Sequence, residues 1–265
     1  TVLTAIGPQH LQTFGSMDNI VREKMCMVED LREDGCAILN IDNPYIREWK
    51  RENPCQIITF GRSQEADVRI KDVRYDLHGA HFTLCIDGEE TAFDTKLLGE
   101  CNIYNIAAAV ALARKLGIGM SAIQHAVSEL GYVEHRLEMK LHRDMVLIDD
   151  AFNANPEGAA AACDVLAQMP GWRILVTPGM IDLGEQQEQF NRCLGTHAAS
   201  CADEVILVGG KQVQPLRQGL LEGGFDEDRI RQVMTMQEAF ACFEQSPHAD
   251  KVVLIENDVP DVLNR

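Results

Sequence analysis

The chain has 265 residues, 46% hydrophobic and 25% charged, with a formal net charge of −17. That length allows one or two domains around a sizeable core, and the composition is ordinary for a soluble globular protein. The acidic balance excludes general nucleic-acid binding, which needs a basic footprint, and an anionic substrate would need local cations or a metal to hold it.

Residues 1–8 have the pattern of a strand leading into Gly7-Pro8-Gln9-His10. The chain starts without Met inside that strand, so a longer parent protein is expected. Ser16 is placed to cap a helix running to about Leu31, with Ile20, Met27 and Leu31 near one face. Residues 36–41 form a buried-type strand, followed by a short helix around 45–51 and a strand over 56–60. Between 66 and 95 the pattern alternates, with turn signals at His78-Gly79 and Asp87-Gly88, which predicts antiparallel hairpins. Two helices follow, over 102–116 and 121–130.

A boundary is expected within 131–134, giving domains 1–133 and 134–265. Beyond it, strands over 145–148, 173–177, 204–208, 230–233 and 251–255 alternate with helices near 156–168, 185–200, 213–222 and 236–245. Such alternation means βαβ units and a mostly parallel sheet, an α/β fold. No apolar run approaches a membrane span and no signal-peptide pattern is present, so a cytoplasmic protein without membrane partners is expected. The nine cysteines lack a CxxC pair or a zinc-type Cys/His spacing and are expected to be reduced core residues.

The strand over 145–148 runs into Asp149-Asp150-Ala151-Phe152-Asn153-Ala154-Asn155-Pro156. Polar groups at the C-terminal end of a strand in an α/β chain face ligands. Asn155 also suits the cap of a helix opened by Pro156. Two adjacent acids repel unless one is solvated or paired, which singles out Asp150 as a ligand contact. Arg136, in Glu134-His135-Arg136-Leu137-Glu138, is either a surface ion-pair partner or a fork for a phosphate. Asn102 and Asn105 share a helix face. Asn102 suits an N-cap, whereas Asn105 lies deeper, where its amide could match the donor–acceptor edge of adenine. His10 and Lys24 taken alone are a structural histidine and a solvated charge. The stretch Val208-Gly209-Gly210-Lys211-Gln212 fails as a phosphate loop, because Val205 holds the first glycine position and Gln212 replaces Ser/Thr.

Together these motifs resemble the Mur ligase family, and within it the members that add D-alanyl-D-alanine. The markers are Ala5-Ile6-Gly7-Pro8-Gln9-His10-Leu11 with Phe14-Gly15-Ser16, Leu39-Asn40-Ile41-Asp42 and Gly99-Glu100-Cys101-Asn102-Ile103-Tyr104-Asn105. They continue with His135-Arg136-Leu137-Glu138, the Asp149–Pro156 run and Gly179-Met180-Ile181-Asp182-Leu183-Gly184-Glu185. The resemblance implies part of the central ATPase domain followed by a Rossmann-like C-terminal domain. It implies an ATP-dependent ligase of peptidoglycan precursor synthesis, with Mg2+ and ATP as cofactors. Its partners would be a UDP-muramoyl peptide and an amino acid or dipeptide. By resemblance, His10 helps hold a magnesium ion and Lys24 is carbamylated. Asn102 and Asn105 contact adenine, Arg136 reaches the phosphates of ATP, and Asp150 lies near the ribose.

The sequence departs from the family at Cys101, where a histidine is usual. It departs again at Glu256-Asn257-Asp258-Val259-Pro260-Asp261, which replaces a Lys-Gly-Ser-Arg type ending. A family paralogue of folylpolyglutamate or cyanophycin type, and a non-catalytic binding module, stay open as alternatives. No G-x-x-x-x-G-K-[ST] occurs in these residues, and it is expected upstream of Thr1. The 265 residues alone are therefore predicted to bind Mg-ATP weakly and not to hydrolyse it. Calorimetry and phosphate release check this; micromolar affinity with turnover would refute it.

Overall fold

The structure is a computed structural model that describes residues 1–7, 14–50, 52–143, 145–151, 155–181 and 183–257. The expectations placed on His10 and Asn153 lie outside the described residues. The chain forms two compact units. One comprises Thr1–Arg74, Ala80–Lys96 and Glu100–Leu130; the other comprises Tyr75–Gly79, Leu97–Gly99 and Gly131–Arg265.

The first unit is built on a sheet in the order β1 (Val2–Leu3), β2 (Cys36–Asn40), β3 (Gln56–Gly61), β4 (Val68–Asp76), β5 (Gly79–Ile86), β6 (Glu89–Thr95). Pairing is parallel from β1 to β4 and antiparallel between β5 and β6. Helix α1 (Met17–Glu29) starts at Ser16, whose hydroxyl accepts from the Asn19 N–H, as predicted. Its buried face is formed by Ile20, Val21, Met25 and Val28. Met27 falls outside it and is exposed, contrary to the predicted face. The predicted first strand shrinks to two residues, and the helix expected around 45–51 is the single turn α2 (Pro44–Arg47), capped by Asn43. Helices α3 (Glu100–Lys115) and α4 (Met120–Ser128) complete the unit.

The second unit holds a sheet in the order β11 (Ile230–Val233), β10 (Glu204–Val208), β9 (Trp172–Thr177), β12 (Lys251–Glu256), β8 (Met145–Asp150), β7 (Glu138–His142). Pairing is parallel from β11 to β8, with β7 added antiparallel at the edge. Strand β7 was not expected: it is a short polar-alternating edge segment, a weak signal by itself. Both sheets being largely parallel, the α/β fold class is as expected. All of β10 and β12 is buried, which explains why they appear as continuous apolar runs.

Helices α5 (Pro156–Gln168), α6 (Gln187–Ala198), α7 (Gln214–Glu222) and α8 (Met236–Gln245) connect the strands. Ala239 and Phe243 of α8 pack on Ile174, Val176, Ile206, Val208 and Val253. The buried Lys251 donates from Nζ to the carbonyls of Phe243 (3.1 Å), Glu244 (3.4 Å) and Ser246 (3.2 Å). A cation thus closes the negative end of α8. No helix of the described residues is long and apolar enough to cross a membrane.

Helices α6 and α7 meet through Gly195 and Gly219. A Cβ on Gly219 would lie 2.0 Å from the carbonyl oxygen of Arg192, and one on Gly195 2.1 Å from that of Leu216. Both obstacles are backbone, which cannot swing aside. In an isolated helix Gly→Ala gains about 1 kcal/mol. Here the forced separation of the helices costs about 1–3 kcal/mol through overpacking. Gly219→Ala is therefore predicted to lower the urea midpoint of the chain rather than raise it.

Candidate functional site

In the first unit, two of the sequence markers, Leu39–Asp42 and Gly99–Asn105, meet at Asp42. Its carboxylate accepts from the backbone N–H of Arg62 (2.5 Å) and of Ser63 (3.0 Å), and from the Tyr104 hydroxyl (2.7 Å). Burial and the Asp42 carboxylate together push the Tyr104 phenol far above its ordinary range, so it stays a donor. Gly61 sits at φ 153°, and a Cβ there would stand 2.6 Å from the Asp42 carboxylate. Glycine is therefore required at the end of β3 for this clasp to form. Arg62 in turn donates to Glu100 at 2.7 Å. The clasp ties β2, β3 and the first turn of α3 together, which fixes the face carrying Asn102 and Asn105.

Asn102 is the third residue of α3, not its cap, because the helix already begins at Glu100. It is half-buried, whereas Asn105 is exposed. Buried Asn40 donates to the Thr4 carbonyl (2.8 Å), and Asn43 to that of Ile6 (2.9 Å). These two amides secure the segment that leads toward residue 10. Lys24 is exposed midway along α1.

In the second unit, the paired acids at the end of β8 hold the turn that carries Arg136. His135 and Leu137 both adopt left-handed backbone, with φ 56° and 48°. For leucine this is costly and persists only under external restraint. The restraint is visible: Asp150 accepts the Leu137 N–H at 3.0 Å, and Asp149 meets His135 Nδ1 at 3.0 Å. Arg136, exposed between these anchors, projects from a fixed backbone.

The predicted repulsion between the two acids is resolved by different partners. Burial works to raise the Asp149 pKa, but Lys140 at 2.7 Å, the Ala151 N–H at 3.2 Å and His135 outweigh it and hold the carboxyl below its usual range. Asp150 is pushed up instead, chiefly by burial, with the Leu137 N–H and Arg136 opposing. Asn155 caps α5 by accepting the Gly158 N–H at 2.8 Å.

Two residues unmarked as site candidates in the sequence join this group. Glu256 is 1% exposed and lies opposite Asp150 in the β8–β12 register. Neither of its oxygens meets a protein donor. Burial, with the neighbouring Asp150 carboxyl, keeps it protonated well above the ordinary range. Asn257, at φ 68°, donates its side-chain amide to the Gly179 carbonyl (2.8 Å) and its N–H to that of Asp150 (3.2 Å). The ends of β8, β9 and β12 are thereby stitched into one rim, the place where ligands meet open α/β sheets. Only the departure of the Glu256 ending from the family pattern could have flagged this.

The apparent phosphate loop is confirmed as a decoy. The Gly209 N–H donates to the Val233 carbonyl at 2.7 Å and the Gly210 N–H to Gln212 Oε1 at 3.0 Å. Two amides that a phosphate would need are already engaged.

The Asp150–Glu256 pair makes a pH prediction. Glu256 holds a proton in the folded chain at pH values where the unfolded chain has released it. Its contribution to stability is full below the ordinary carboxyl range and is lost as pH rises through its elevated folded-state value. The groups facing it are Asp150, with Arg136 and Asp149 beyond, and Cys163 of α5. Glu256→Gln keeps the shape and needs no proton, so it is predicted to exceed the native chain in stability at about pH 8, with the gap closing toward about pH 4. Urea midpoints across that range check this, and a gap independent of pH would refute it.

Comparison with known proteins places this geometry in a family. Residues 1–113 match the Mur ligase middle domain, and residues 135–256 match the domain described as Mur ligase, glutamate ligase domain. The chain is 28% identical over 258 residues to the UDP-N-acetylmuramoyl-tripeptide–D-alanyl-D-alanine ligase of Bacillus subtilis (strain 168), covering 96% of this chain and 55% of that protein. It is 32% identical over 206 residues to the enzyme of the same name from Escherichia coli (strain K12), covering 77% and 46%. The fold matches the MurF ligase from Thermotoga maritima in complex with ADP, with a TM-score of 0.81 at 20% identity, over 99% of this chain and 60% of that one. The chain thus spans about half the length of the curated relatives it matches. With a middle domain and a glutamate ligase domain in succession, it belongs to the Mur ligase family.

Proposed function

We propose that these residues form part of an ATP-dependent amide ligase. It would join the carboxylate of a UDP-muramoyl peptide to the amine of an amino acid or dipeptide, with D-alanyl-D-alanine the first choice. The observation that carries this reading is the fixed presentation of Arg136 by Asp149 and Asp150. A guanidinium held on a restrained backbone suits a transferring phosphoryl group, because little reorganisation remains when charge develops. We place the domain boundary at residues 131–134, as the sequence pattern suggests.

In such a reaction the γ-phosphoryl of ATP passes to the carboxylate, and the amine displaces phosphate from the acyl phosphate. Asn102 and Asn105, one turn apart on α3, supply amides that fit the N6/N7 edge of adenine. Arg136 would neutralise phosphoryl charge, while Asp150 holds the turn beneath it and faces the ribose side. Magnesium, when bound, would supply further charge neutralisation. Lys24 fits that ion only as a carbamate, since an ammonium repels a cation; its exposure on α1 leaves it open to that modification. His10 is the second proposed ligand.

A second reading keeps the ligase chemistry and changes the amine. It is favoured by Glu256, a buried acid standing where the D-alanyl-D-alanine adding enzymes have a Lys-Gly-Ser-Arg type ending. ADP release with a panel of amines separates the two readings.

In an enzyme that includes the phosphate-binding segment, Arg136→Ala is predicted to lower turnover by about 10²–10³. Lys24→Ala should also impair turnover, with partial rescue by short carboxylic acids that mimic a carbamate. Lys211→Ala should leave the rate nearly unchanged. Steady-state ADP release decides: near-native rates for Arg136→Ala, or a large loss for Lys211→Ala, would mean that the site lies on other residues.

A further inference from the structure

A second constellation stands apart from the strand-end rim, on the helical layer of the second unit. His197 lies in the last turn of α6, and Cys201 follows it by four residues. The N–H groups of Cys201 and Ala202 both donate to the Ala198 carbonyl, at 2.9 Å and 3.2 Å, so the helical winding continues past α6. That keeps the imidazole and the thiol on one face. Asp164, on the outward side of α5, completes the group: its Oδ1 is 2.8 Å from His197 Nε2. One donor atom from each residue lies within 4.8 Å of the other two.

We propose that Asp164, His197 and Cys201 form a binding site for zinc or a similar borderline first-row cation, with a solvent-facing fourth position. The donor set is one sulfur, one imidazole nitrogen and one carboxylate oxygen. Such a set suits zinc and disfavours magnesium and calcium, which prefer all-oxygen shells. The surroundings favour a cation in two further ways. The site sits at the C-terminal end of α6, the negative pole of the helix, and the chain as a whole carries a net charge of −17.

Cys201 is 3% exposed, and its Sγ lies 3.4 Å from the His197 carbonyl oxygen, to which the thiol proton can be directed. Metal binding would exchange the thiol proton for the ion. The other two donors are accessible, with side-chain exposures of 59% for Asp164 and 39% for His197. An ion can reach them without opening the core. Once bound, it would clip α5 to the end of α6. The expectation that the nine cysteines are core residues fails in any case at Cys26, Cys101 and Cys193, which are exposed.

The test is a cobalt(II) titration of the reduced 265-residue chain, followed by displacement with zinc. One equivalent is expected to give visible bands of a tetrahedral ion together with a thiolate-to-cobalt charge-transfer band, and zinc should abolish both. Cys201→Ser should remove the charge-transfer band, while Cys193→Ser, at an exposed cysteine of α6, should retain it. Because Cys201 is buried, His197→Ala and Asp164→Asn provide solvent-side variants that keep the core intact. Each should weaken cobalt binding at least about tenfold. Absence of the band at one equivalent, or its persistence at undiminished affinity in His197→Ala and Asp164→Asn, would overturn the assignment.

Discussion

The hydrogen bond from the Leu137 N–H to Asp150 is the constraint on which the candidate site of the second unit depends. A leucine at φ 48° would relax toward ordinary backbone if nothing held it. Asp150 holds it on one side of Arg136, and Asp149 holds His135 on the other. The doubled acid after β8 is therefore first a mechanical device. It lets a side chain on an irregular connection behave as though it stood on a rigid element. The backbone that carries Arg136 is thus held from both sides by hydrogen bonds.

That device has its own electrostatic requirement. Two adjacent carboxylates at a strand end repel, and a third acid, Glu256, faces Asp150 from β12. The conflict is settled by giving each acid a different environment. Asp149 is matched to Lys140 and stays ionised, while Glu256 is buried and stays protonated. Asp150 stands between them, pushed up chiefly by burial while it accepts the Leu137 N–H. Local packing thus converts what looks in the sequence like surplus negative charge into a graded set of donors and acceptors.

The first unit uses the same logic with different residues. Asp42 gathers two backbone N–H groups and a phenol, and only a glycine at position 61 leaves room for it. The result positions the start of α3 and its two asparagines. In both units a buried or half-buried acid organises backbone around it, and the residues proposed to meet a ligand are carried by that backbone.

Much of the fold was legible in the sequence, because its signals are local. Ser16, Asn155 and Pro156 mark helix starts through their own hydrogen-bonding capacity and fixed backbone angle. The continuous apolar runs of β10 and β12 announce strands buried on both faces. The motif order, read as a whole, was enough to point to the family. What the sequence could not decide were pairings between distant residues. The roles of Asp42 with Tyr104 and of Asp150 with Leu137, the Glu256 proton, and the meeting of Asp164 with His197 and Cys201 each need two or more segments brought within hydrogen-bond reach. The edge strand β7 and the rotated face of α1 were missed for a related reason. A short polar strand becomes one only when a neighbour supplies its ladder, and a helix settles its buried stripe against the surface it finds. Sequence alone determined most of the elements and the family, because propensity, capping and motif spacing act over a few residues. Tertiary structure alone decided which acids are charged, which turn is strained and which side chains converge, because burial and long-range pairing exist only once the chain is folded.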